Sequence, residues 1–270
     1  MRELPEELKV DKYGCFYMDD VLAYKSYICF SDYIERNGFR CKSSFSRIKS
    51  TNDYIIKRSI ISLSRRERNE ILVMLRVFRE IASRLPKIDL PIGYHKEGRH
   101  LDGTIIPYYE SSPSIKNIMD NYSLEKYRII YNHSDDVISN LFSSLNDILN
   151  IIESLFDNNV FYFDINYGNF LVSQNEMKII DFEPNHMSFT KDKYTFSILV
   201  VNFLRLVHEV LENYHLPIYN LSNLPYCKES KEYPLKEKVL DYANGIGYQF
   251  DDVKKYLKTL ENNVSDSYKK

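Results

Sequence analysis

The feature that most limits how this chain can fold is residues 160–183. They run Val160-Phe161-Tyr162-Phe163-Asp164-Ile165-Asn166-Tyr167-Gly168-Asn169-Phe170-Leu171-Val172, then, after four polar residues, Met177-Lys178-Ile179-Ile180-Asp181-Phe182-Glu183. Each short apolar run is stopped by a polar residue. The runs are too short for helices and read as strands over 160–163, 170–172 and 177–180, the last two joined by a Ser173-Gln174-Asn175-Glu176 turn. Long helical stripes flank them. Val137, Leu141, Leu145, Ile148, Ile152 and Leu155 recur at helical spacing. Ser134 is the expected cap, with Asp135 and Asp136 in the first turn where the helix dipole favours acids. Residues 194–213 form a second apolar helix.

The front half reads differently. Ser44–Ile48 and Tyr54–Lys57 alternate around Ser50-Thr51-Asn52-Asp53, which predicts a hairpin. A helix over 64–84 follows, opened by a Ser64/Glu67 capping box and ended by Pro86. Its stripe is Ile71, Leu75, Phe78, Ala82 and Leu85. Extended pieces at 91–96 and 104–109, with Gly98 and Asp102-Gly103 between them, predict a second hairpin. Residues 1–40 carry little pattern beyond a weak helical period at 19–36. Residues 113–132 are partly helical and 214–233 irregular; helices at 234–243 and 249–262 finish the chain. A sheet-rich front followed by a helical back is an α+β order, with its seam near Ser111-Ser112-Pro113.

Composition narrows the function classes. Lys and Arg number 36 against 38 Asp and Glu, for a net charge of −2, so a protein built around nucleic acid is not expected. Apolar residues make up 44% of the chain, enough for a sizeable core. Cys15, Cys29, Cys41 and Cys227 have neither metal nor disulfide spacing, which points to a reducing, cytoplasmic setting. The longest apolar stretch, 196–207, is broken by Asn202 and Arg205, so no transmembrane segment is expected; a span needs roughly 20 apolar residues. The six histidines do not cluster and read as structural or surface residues.

The chemistry lies in two spacings. Asp164 stands five residues before Asn169, and Asp181 twelve residues after it, at the end of an apolar strand and before Phe182. This resembles the Asp-x-x-x-x-Asn and Asp-Phe-Gly loops of the protein-kinase-like superfamily. The resemblance spans roughly residues 41–213. It implies a two-lobed fold: a small antiparallel-sheet N-lobe with one long helix at 41–110, a mainly helical C-lobe at 111–270, and an unassigned extension at 1–40. It also implies ATP and Mg²⁺. Asp164 would then face the acceptor hydroxyl, and Asn169 and Asp181 would hold the metal through hard oxygen atoms. Tyr54-Ile55-Ile56-Lys57 looks like the strand whose lysine contacts the α/β-phosphates, with Glu70 as the partner of Lys57 and Glu67 as rival. Residues 41–48 look like the phosphate-covering loop, with Ser43, Ser44 and Ser46 on the nucleotide and Cys or Ser at the glycine positions. Residues 108–111, with Tyr109 and Glu110, would be the adenine-binding hinge.

Departures from the pattern point to a kind. The His-Arg-Asp triplet is Tyr162-Phe163-Asp164, and Asn166 stands where a Lys or His is usual. Glu183 replaces the Gly after Phe182, and no Ala-Pro-Glu follows. Only about a dozen residues separate Asp181 from the next helix, so there is no conventional activation segment. Such features are similar to those of aminoglycoside, choline and lipopolysaccharide-core sugar kinases and of compact bacterial effector kinases. They imply an ATP-dependent phosphotransferase acting on an acceptor hydroxyl of a small molecule or glycan. The alternatives are a compact atypical protein kinase and a non-catalytic nucleotide-binding recognition module.

Overall fold

A computed structural model of the chain describes residues 4–6, 8–19, 43–47, 54–59, 63–109, 112–173, 175–189, 192–216, 246–247 and 249–268. The chain divides into two compact units, Met1–Glu110 and Ser111–Lys270. The first is a mixed sheet with one long helix; the second is mostly helical with two small β-pairs.

The first unit contains β1 (Lys9–Val10), β2 (Phe16–Asp19), β3 (Ser43–Arg47), β4 (Tyr54–Ser59), β5 (Gly93–Glu97) and β6 (His100–Pro107), in the sheet order β1-β2-β5-β6-β4-β3. The β3–β4 pair matches the first expected hairpin, with Phe45 opposite Lys57. In the second hairpin the turn is tighter than the expected 97–103 link. Strand β6 starts at His100, and Gly98 turns the chain at φ +60°.

The wholly antiparallel sheet expected here is corrected. Strand β2 runs parallel to β5, pairing Phe16 with Gly93 and Asp19 with Lys96. The N-terminal residues are therefore part of the sheet, and Asp19 is in a strand rather than at a helix start. A glycine makes this pairing possible. A Cβ at Gly93 would sit 2.6 Å from the carbonyl oxygen of Phe16, closer than atoms tolerate.

Helix α1 (Arg65–Ile81) begins as expected. Ser64 Oγ accepts from the Glu67 backbone N–H, and Glu67 Oε2 accepts from the Ser64 N–H at 2.7 Å. Met74, Leu75, Phe78 and Ile81 are buried, and Ala82 is exposed. The helix tightens into a 3₁₀ turn at Ala82–Arg84, and three residues per turn rotate Ala82 off the stripe. Arg79 lies over the Phe16 ring at 4.9 Å, so α1 packs along the N-terminal strands.

The second unit starts with α2 (Ile115–Asn121) and α3 (Leu124–Ile130), followed by α4 (Val137–Asp157). The cap of α4 is Asp136, whose Oδ1 accepts from Ser139 N at 2.7 Å; the expected Ser134 instead accepts from Asp136 N. Helix α5 (Lys193–Asn213) meets the length and apolarity of a membrane span, but its apolar side chains are spent inside this unit. Phe196 of α5 packs edge-on against Phe156 of α4, and both pack against Phe250 of α6 (Phe250–Tyr268) at 5.1–5.5 Å. The expected helix at 234–243 lies outside the described residues, as do most of 19–36 and 214–233.

Candidate functional site

Within the second unit, strand β7 (Phe161–Tyr162) enters a loop that ends at β8 (Phe170–Ser173), which pairs with β9 (Glu176–Ile179). The pairing explains why a spacing of twelve residues brings Asn169 and Asp181 together. Phe170 faces Ile179, so Asn169 faces Ile180, and the Ile180 N–H donates to the Asn169 carbonyl at 2.9 Å. Asp181 is one residue further on. The Ile180 carbonyl in turn accepts from Tyr162 Oη at 3.2 Å. Ile180, the residue leading into Asp181, is thus pinned through both its N–H and its carbonyl.

Asp181 itself has φ +65°. This left-handed region is uncommon for residues with a side chain, and such strain concentrates at functional positions. Phe182 is buried and packs its ring 5.4 Å from that of Tyr162.

The loop is organised around the Asp164 carboxylate. Oδ1 accepts from Asn166 Nδ2 at 2.7 Å, and Oδ2 accepts from Asn169 Nδ2 at 2.8 Å. Asn169 Nδ2 also donates to Tyr162 Oη at 2.9 Å. With the amide flipped, Asn169 Oδ1 would face a carboxylate oxygen, so the orientation follows from charge. Gly168 completes the clamp: its N–H donates to Asn166 Oδ1 at 2.9 Å, and a Cβ there would press on the same oxygen at 3.0 Å.

His186, which reads from the sequence as a structural or surface residue, joins this group. Pro184–His186 forms a 3₁₀ turn, and β10 (Met187–Ser188) pairs back onto β7. Phe163 N donates to the His186 carbonyl at 2.8 Å. His186 Nδ1 is buried 3.0 Å from Asp164 Oδ2 but off the N–H direction, so the contact is ionic rather than a directed hydrogen bond. Burial pushes the Asp164 carboxyl up, but His186, Asn166 and Asn169 more than offset it, and the net shift is downward. Contact with Asp164 outweighs burial and raises His186, aided by the charges of Glu183 and Asp181. The Tyr162 phenol is pushed well up by burial and by the charges of Asp164 and Asp181. The two carboxylates therefore act on one small volume.

Two of the expected metal ligands, Asn169 and Asp181, are brought together here. Among the described residues no three His, Cys, Asp or Glu side chains form a metal cage. A two-ligand set nevertheless fits Mg²⁺, which usually keeps several waters and takes its other oxygens from phosphates. Asn169 spends its amide hydrogens on Asp164 and Tyr162, which leaves its Oδ1 to face a cation.

The site residues expected in the first unit fare less evenly. Lys57 is half-buried in β4, on the same face as buried Ile55. Glu70 does not take Lys57 as its partner: its Oε1 is held by Arg66 Nε at 2.8 Å, one helical turn away on the exposed side. Ser43, Ser44 and Ser46 lie in strand β3, opposite Ser59, Arg58 and Ile56, as the expected hairpin has Ser44 and Ser46 and not as the loop the resemblance implies. Without glycine, nothing there favours leaving the ladder. Tyr109 Oη donates to Asp89 Oδ2 at 2.5 Å. Glu110 lies outside the described residues. The chain matches no family model and no curated protein.

Proposed function

We propose that the protein is an ATP-dependent phosphotransferase of two-lobed, protein-kinase-like fold, acting on a hydroxyl of a small molecule or glycan. The observation that carries this reading is the stitching of Asp164, Asn169 and Asp181 into one volume by the Tyr162–Ile180–Asn169 hydrogen bonds, with Asp181 in a left-handed backbone. Asp164 Oδ2 is engaged by both Asn169 and His186, whereas Oδ1 is engaged by Asn166 alone. Oδ1 is therefore the oxygen with a lone pair for the acceptor. The acceptor O–H proton passes to it as the O–P bond forms and the bond to the β-phosphate oxygen breaks, the electron pair leaving on ADP. Asn169 Oδ1 and the Asp181 carboxylate would hold Mg²⁺, which supplies neutralisation of the phosphate oxygens. Lys57 is assigned to the α/β-phosphates. Residues 182–192, all that separates Asp181 from α5, are too few for a peptide-docking segment and favour a small acceptor.

A second reading, nucleotide binding without transfer, is favoured by the Arg66–Glu70 pair and by the strand at Ser43–Arg47. One experiment separates the two. Thermal unfolding is measured with ATP, with and without Mg²⁺, beside phosphate release and an Asp181→Ala control. A Mg²⁺-dependent rise in Tm with turnover, both lost in Asp181→Ala, supports phosphotransfer. A rise without turnover supports the binder, and no rise with any nucleotide refutes both.

A further inference from the structure

The Asp164 clamp contains one group that can carry positive charge. Asn166 and Asn169 hold the carboxylate through neutral amides. Among the described residues His186 is the only cationic side chain within ion-pair reach of it, at 3.0 Å. Its approach is built into the fold. Pro184 starts a 3₁₀ turn, His186 N donates back to the Glu183 carbonyl at 3.0 Å, and the His186 carbonyl accepts from Phe163 N at 2.8 Å. Met187 then pairs with Tyr162. The β7–β10 pair, with the Phe163 N–H to His186 carbonyl bond beside it, thus ties the segment leading to Asp164 to the segment that holds the histidine.

We propose that His186 is a positioning residue for Asp164, gripping Oδ2 so that Oδ1 is presented to the acceptor, and supplying the positive charge that Asn166 cannot. The inference rests on the phosphotransfer reading above. Among the described residues the side chain has no other anionic partner at contact distance, and Glu183 and Asp181 act on it through space. Loss of His186 would leave Asp164 its two amide donors but remove the one cation beside Oδ2, so the carboxylate would keep its hydrogen bonds and lose the charge that biases Oδ2 away from the acceptor. That fault touches the chemical step more than nucleotide affinity.

The test uses the full chain and two readouts. Long-range ¹H–¹⁵N NMR follows the His186 ring through a pH titration in wild type and Asp164→Asn. The expected result is a titration above the ordinary imidazole range that falls back in Asp164→Asn. An unchanged titration overturns the pair. Phosphate release from Mg·ATP, with water standing in for the acceptor hydroxyl, is then measured for His186→Gln and His186→Lys. His186→Gln, neutral but still a donor, should lose on the order of a hundredfold in kcat with KM for ATP unchanged. His186→Lys should recover part of that loss. Wild-type kcat in His186→Gln, or equal loss in both variants, overturns the charge-bearing role. A wild type that neither binds nor turns over Mg·ATP, while His186 still senses Asp164, overturns the phosphotransfer reading and the positioning role with it, leaving an ion pair of the fold alone.

Discussion

Replacing Asn169 by Asp tests the heart of the site with a change of one atom type. In the wild type Asn169 Nδ2 donates to Asp164 Oδ2 at 2.8 Å and to Tyr162 Oη at 2.9 Å. Asn169→Asp turns that donor into an oxygen facing an oxygen. A hydrogen bond to a charged group is worth about 1.5–3 kcal/mol, and that contribution is lost when both carboxyls are ionised. Two unit charges 4 Å apart at an effective dielectric of 20 repel by about 4 kcal/mol. Protonating one carboxyl caps the penalty. With an ordinary Asp pKa near 3.9, protonation at pH 7 costs about 4 kcal/mol, and each pH unit changes that cost by about 1.4 kcal/mol. The pair binds one proton more when folded than when unfolded, so the variant is penalised as pH rises. Its stability deficit should be small near pH 4 and should grow by up to about 1.4 kcal/mol per unit to roughly 3–4 kcal/mol at pH 7. The assay is urea unfolding of both proteins at half-unit steps from pH 4.5 to 7.5. Parallel stability curves would refute the reasoning, because they would mean that the two side chains do not meet.

Other outcomes follow from the same geometry. Gly168→Ala forces Asn166 Oδ1 away from a Cβ at 3.0 Å; the variant should stay within about 1–2 kcal/mol of wild type yet lose turnover, and unaltered kinetics would remove Asn166 from the clamp. Asp181→Gly should unfold at higher denaturant than Asp181→Ala by about 1 kcal/mol, because φ +65° penalises a Cβ, and both should lose any Mg²⁺ effect on ATP binding; equal midpoints would argue against the strained backbone. The His186–Asp164 pair also sets a pH window. Asp164 is shifted down, so its stabilisation is present above the ordinary carboxylate range and lost as pH falls through its folded value. His186 is shifted up, so its stabilisation is full below about pH 6.5 and lost as pH rises through its folded value. The wild-type Tm should therefore decline more steeply than that of His186→Gln over the units above pH 6.5; coincident slopes would remove the linkage.

The hairpins, the capping box and the two core helices are legible because each is local. The pairing of β8 with β9 turns the spacing of Asn169 and Asp181 into adjacency, and both ends of that hairpin are written in apolar runs. What escaped was long-range or short. Strands β1 and β2 lack the turn-bounded apolar runs that mark β8 and β9, so they read as an extension, and parallel pairing of Phe16 with Gly93 leaves no mark in either segment. His186 was missed for a related reason. A lone histidine after the last motif gains meaning only when β10 folds back on β7, a two-residue ladder. Glu70 was misassigned because helical position alone does not tell which charge it meets, and Arg66 is four residues away on the same face. Asp136 and Ser134 compete as caps two residues apart, and their propensities are too similar to choose between them.

Gly93 has a bearing on how the chain avoids sticking to itself. Strand β5 would be the rim of the sheet if β2 were not seated along it, and β2 can seat only because Gly93 has no side chain against the Phe16 carbonyl. During synthesis Phe16–Asp19 must wait until residue 93 has emerged, since its partner does not exist before then. In that interval both segments carry unpaired backbone groups able to recruit the same segments of neighbouring chains. A side chain at position 93 would make the wait permanent, turning a protected inner strand into an open edge able to assemble with its copies.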